Sequence, residues 1–135
     1  MANVTGGLAP DKNFERVANT PGAWEGIART LLTAAQILRE RREAGGNSVA
    51  LNDDGDPVPL EWMVPVERML RGFALENLMK AWWVKQEHAI ACDGKYIGVG
   101  DKHRVPDHKL APLAKAVGVP VDRENRKVLE QLSVS

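Results

Sequence analysis

At 135 residues the chain fits one domain with enough length for a real hydrophobic core. Its 18 basic and 18 acidic residues cancel, which excludes the global positive field of a general nucleic-acid binder and leaves only local patches. The single cysteine, Cys92, excludes an internal disulfide framework and fits a reducing compartment, and no apolar run reaches the roughly 20 residues that span a bilayer.

The opening MANVTGGLAPDKN carries no apolar signal core, so the expected location is the cytoplasm. Residues 1–19 contain Gly6, Gly7 and Pro10 and show little periodicity, which predicts a flexible arm ahead of a helical domain over 20–135. The first helix opens at Thr20, a capping residue, with Pro21 in its first turn. Trp24, Ile27, Ala28, Leu31, Leu32, Ala35 and Leu38 then recur at helical spacing and predict one buried face. Arg39, Arg41 and Arg42 suit the negative end of the helix dipole, and Gly45–Gly46 ends it.

Residues 47–64 read as a connection, with a turn at Asp53–Asp54–Gly55. A short hairpin pairing Val49–Leu51 with Val58–Leu60 is restricted to an edge by Pro57 and Pro59. The same loop mimics a calcium loop, but Ala50 stands where the first carboxylate belongs, so a turn is favoured.

Residues 65–90, PVERMLRGFALENLMKAWWVKQEHAI, are apolar almost all the way round a helical wheel. Val66, Met69, Leu70, Phe73, Ala81 and Val84 fall on one side, and Leu75, Leu78, Met79, Trp82 and Trp83 cover most of the other. Such a helix is expected to be buried on several sides, inside a bundle or at a subunit interface. Glu76, Asn77 and Lys80 interrupt it with groups that burial penalises unless they find partners. Glu76 and Lys80 have the favourable spacing and order for a helical ion pair. That pair is either partly exposed and worth about 0.3–0.5 kcal/mol, or part of a buried polar cluster that fixes packing or faces a ligand.

A second loop over 91–106 carries Asp93–Gly94, Gly98 and Gly100, with room for a small hairpin around Tyr96–Ile97. A third helix is expected from Asp107, its cap, to Gly118, and a fourth from Asp122 through Val128, Leu129 and Leu132. The chain stops at Ser135 without a helix-end signal, which reads as fraying or a truncated C-terminus. His88 and Cys92 are four apart, but no second pair at metal spacing accompanies them, so no metal is expected. Lys102, His103, Arg104, His108 and Lys109 cluster beside a helix start, where they form either a phosphate-holding loop or a solvated one. The full glycine spacing of a dinucleotide loop, a GxxxxGK motif and a GxSxG elbow are all missing, so no cofactor is expected and nucleophilic catalysis has no support.

A helix of the form RGFALENLMKAWW, a variable loop and then HKLAPLAKAVG resembles HEPN domains, compact α-helical bundles of the "higher eukaryotes and prokaryotes nucleotide-binding" class. The resemblance rests on Glu76, Lys80, His108, Leu110 and Leu113 and covers about residues 66–132. It implies a homodimer formed through the helices. Ribonucleases of that family resemble one another in an Arg-x4–6-His motif. The nearest approach here, Arg104-Val-Pro-Asp-His108, has only three intervening residues.

The expectation is therefore an all-α, compact bundle of about four helices with one central, all-round apolar helix. Its expected role is a non-catalytic HEPN-like module for nucleotide- or RNA-related binding or protein interaction. Glu76, Asn77, Lys80, His108 and Lys109 are its candidate binding residues, with a possible co-encoded protein as partner and no membrane association. Two alternatives stay open. One is a divergent, toxin-like, metal-independent ribonuclease using Arg104 and His108, and the other is a purely structural or regulatory interaction domain.

Overall fold

A computed structural model describes residues 10–44, 48–51, 57–101 and 103–133. Five α-helices carry these residues: α1 (Pro10–Ala18), α2 (Pro21–Glu43), α3 (Val64–Lys85), α4 (Leu110–Val117) and α5 (Arg123–Leu132). A short 3-10 turn, Leu60–Met63, leads into α3. Strands β1 (Ser48–Leu51) and β2 (Pro57–Pro59) form one small antiparallel pair, and β3 (Ala91–Cys92) and β4 (Lys95–Tyr96) another. The fold is all-α. No described helix is long and apolar enough to cross a membrane.

Residues 10–18 are helical, where the sequence predicts a flexible arm; residues 1–9 lie outside the described part. Three anchors account for the difference. Ala18 joins the core. The Asn19 side chain accepts from the amides of Ile90 (2.8 Å) and Ala91 (3.1 Å) and donates to the Ala91 carbonyl (2.9 Å). The Thr20 hydroxyl donates to the Arg16 carbonyl at the end of α1 instead of capping α2. One polar side chain thus holds the arm as a backbone strand would, a signal that hydrophobic periodicity does not carry.

Helices α2 and α3 run antiparallel, because Arg42 late in α2 meets Glu67 early in α3 while Trp24 meets Lys80 at the other end. Ala28 and Ala35 have no exposed surface and let the two backbones approach. Ile27 lies at the surface, so the buried face of α2 is narrower than its apolar pattern predicts. The hairpin at 48–59 forms with Ala50 opposite Val58 and Leu51 opposite Pro57; its connecting residues 52–56, the calcium-like segment, lie outside the described residues.

The core sits between α3, α4, α5 and the 90–99 loop. Met79, Trp83 and Val84 of α3 meet Leu110, Leu113, Ala114 and Val117 of α4, with Leu129 of α5 and Ile90 and Val99 closing the ends. Leu113 is fully buried. Asp122 caps α5 by accepting from the Asn125 amide (2.7 Å), as its position in the sequence predicts. Asp107 does not cap α4, which begins at Leu110. The free Leu110 amide is instead satisfied by the Ser133 hydroxyl beyond α5 (3.1 Å). Pro112 falls in the first turn of α4, where its missing N–H costs no intrahelical bond.

Arg42 donates two hydrogen bonds to Glu67 (2.8 and 3.1 Å), and these hold the Glu67 carboxyl below the usual carboxylate range. A carboxyl lowered in the folded state contributes stability above its unfolded value, about pH 4.3, and loses it as pH falls through the folded value. The stability gap between wild type and Glu67→Gln in urea unfolding is therefore expected to narrow from pH 7 to pH 3. An equal gap at both would reject the pairing.

Candidate functional site

Spacing on α3 places Glu76 and Lys80 one turn apart on one face, and that face looks onto the start of α2 and the loop entering α4. Both side chains are buried. The Glu76 carboxylate lies 3.4 Å from Lys80 Nζ and, with its other oxygen, 2.6 Å from His108 Nδ1. Lys80 Nζ also lies 3.5 Å from Asp107, whose second oxygen accepts from the Tyr96 hydroxyl at 2.8 Å. The ammonium sits 5.1 Å from the Trp24 ring centre and 5.2 Å from that of Tyr96, within range of both aromatic faces. Trp24 is fixed in turn by its indole N–H, which donates to the Ala18 carbonyl (2.6 Å). The Phe73 ring, at 5.7 Å between centres, stands beside the imidazole.

The structure thus brings together Glu76, Lys80 and His108. Asn77 is buried elsewhere in function: its amide donates to the Phe73 carbonyl one turn back (2.7 Å), a local bond within α3. Lys109 is exposed and serves as the residue before α4. Arg104 donates to the carbonyls of Gly98 and Gly100, so its guanidinium is engaged in holding that loop. Gly100 has φ +117, and a Cβ there would run into the His103 carbonyl, so the loop requires glycine. His103 is exposed, and Lys102 lies outside the described residues. His88 stacks flat on Trp83, 3.8 Å between ring centres. The exposed Cys92 thiol is pushed up by the Asp93 carboxylate beside it, which lowers its thiolate fraction.

The electrostatics follow from the count of charges. Two carboxylates, Glu76 and Asp107, surround one ammonium, so the cluster opposes a phosphate and suits a cationic or neutral hydrogen-bond partner. Burial, and then the bond to Asp107, push the Tyr96 hydroxyl far above the ordinary phenol range, so it remains a donor. The carboxylate on Nδ1 can only accept, so it orients the imidazole with a proton on that nitrogen and turns Nε2 away from Glu76. The His108 side chain is 53% exposed, against 8% for Glu76, so the imidazole is the edge of the cluster that meets solvent.

Sequence reasoning finds Glu76, Lys80 and His108 but not Trp24, Tyr96 or Asp107. Those three come from α2, β4 and the α4 entry, and no local spacing links them. Compared with known proteins, the chain matches no family model, and no curated protein and no solved structure is significantly similar to it.

Proposed function

We propose that this chain is a non-catalytic HEPN-like helical module that acts by binding, as a homodimer, in a nucleotide- or RNA-related setting. One observation carries the reading. Leu78 and Trp82, one turn apart in the C-terminal half of α3, remain 39% and 46% exposed. They line a groove of about 330 Å³ with Glu25 and Arg29 of α2 and Lys85 of α3. In a two-fold dimer the same patch meets itself, so the Glu25 of each copy can meet a basic residue of the other around an apolar centre. The polar cluster serves this role from behind. By tying α3 to α2, β4 and the α4 entry, it holds the helix whose outer side docks. Buried ion pairs more often specify packing than perform chemistry. The reading is non-catalytic because Arg104 is engaged with loop carbonyls.

Light scattering is expected to give a mass near twice the 14.8 kDa of one chain, and Trp82→Glu to return it to one chain without loss of helicity. A clean monomer for wild type at high concentration rejects the dimer. Metal-independent RNA cleavage that disappears in His108→Ala rejects the non-catalytic assignment.

A further inference from the structure

The antiparallel pairing of α2 and α3 gathers arginines that lie far apart in the chain. Arg39 and Arg42 from the last turns of α2 and Arg68 and Arg71 from the first half of α3 line one groove of about 440 Å³, with Glu43 and Glu67. Four guanidinium groups face two carboxylates. Both carboxylates are already paired, Glu43 with Arg39 (2.9 Å) and Glu67 with Arg42 (2.8 Å). Among the described residues no carboxylate pairs with Arg68 or Arg71, which leaves a surplus of two positive charges. Arg71 Nη2 is moreover buried and has no hydrogen-bond partner among the described residues. An orphaned buried donor on a cation is costly, and native structures supply such groups with a partner from the protein, from water or from a bound ion.

We infer that this groove is a binding site for a small phosphomonoester. A phosphate dianion matches the surplus of two charges, and its oxygens suit the planar fork of a guanidinium. Val64 and Leu132 add an apolar wall, and the cavity is larger than a bare phosphate needs, so the site accommodates a carbon body on the phosphate. The site lies on the Glu67 side of α3, remote in the helix from the Lys80 cluster, and is independent of the dimer reading.

The test is calorimetric titration of the full chain at fixed ionic strength with phenyl phosphate, inorganic phosphate and, as control, sodium chloride. Phenyl phosphate is expected to bind saturably at one site per chain and more tightly than inorganic phosphate. Arg71→Gln should weaken binding by at least about tenfold, the effect of losing a charge-assisted hydrogen bond. Arg68→Gln should weaken it too, and because Arg68 is exposed this variant decides the matter if Arg71→Gln fails to fold. Arg41→Gln, on the same helix but outside the groove, should leave binding unchanged. No saturable heat with either phosphate overturns the site. Equal losses in Arg41→Gln and Arg68→Gln reduce it to diffuse attraction and overturn it as well. Inorganic phosphate binding as tightly as the ester overturns the ester assignment.

Discussion

Replacing Lys80 by alanine is expected to remove about 3–5 kcal/mol of stability, as breaking a buried ion pair from one side does. The reason is what remains behind. Glu76 and Asp107 would face each other across the vacated position, and the Glu76 side chain is only 8% exposed. Trp24 and Tyr96 would lose the ammonium that both rings face. Against a total stability of about 5–15 kcal/mol, that loss is a large fraction. For a chain of this size it corresponds to a melting temperature lower by about 12–20 °C, read by circular dichroism. Glu76→Gln combined with Lys80→Met should recover much of the loss, because an uncharged pair of similar volume leaves only Asp107, which is partly exposed, to be solvated. A loss below about 1 kcal/mol in Lys80→Ala would mean that the pair behaves as a surface pair.

The second large effect is expected at Gly72. In an exposed helix, glycine to alanine stabilises by about 0.8–1.0 kcal/mol. At Gly72 the opposite is expected, because a Cβ would lie 2.6 Å from the Leu132 carbonyl oxygen of α5. A backbone carbonyl cannot swing aside as a side-chain tip can, so α5 itself must move. Overpacking of this kind costs about 1–3 kcal/mol, which exceeds the propensity gain over most of that range. The displacement should propagate, since Ser133, just past α5, supplies the hydroxyl bound by the Leu110 amide. Gly72→Ala is thus expected to lower the urea midpoint and to shift the amide resonance of Leu110. A raised midpoint would show that α5 does not lie against α3 at this point.

Both effects belong to contacts that join distant parts of the chain, and they mark where sequence reading stops. The Glu76–Lys80 pair is legible because helical spacing alone makes the two neighbours. His108 is legible as part of a basic cluster beside a helix start, but only the family resemblance sets it beside Glu76 and Lys80. Nothing local announces that Asp107, read as a helix cap, would turn to Lys80 and Tyr96, nor that Asn19 would clip α1 to the 90–91 backbone. The arginines are visible as residues. Arg39 and Arg42 read as dipole partners at a helix end, and no local spacing joins them to Arg68 and Arg71 until α2 and α3 are paired in register.

The all-α class, the two long helices, the cap at Asp122 and the need of Glu76 and Lys80 for partners follow from periodicity and local chemistry, because each depends on residues within a few turns; the apolar pattern over 65–90 overruns the second helix, which ends at Lys85. Which apolar residues of α3 are buried and which stay outside is decided by what packs against it. Met79, Trp83 and Val84 meet α4 and α5, whereas Leu78 and Trp82 open onto the groove beside α2. A wheel that is apolar all round assigns burial to every row alike, and only the neighbouring helices choose among them. The same holds for charge. A net charge of zero says nothing of where the surplus lies, and tertiary packing separates a carboxylate-rich cluster at Lys80 from an arginine-rich groove at Arg71 along one helix.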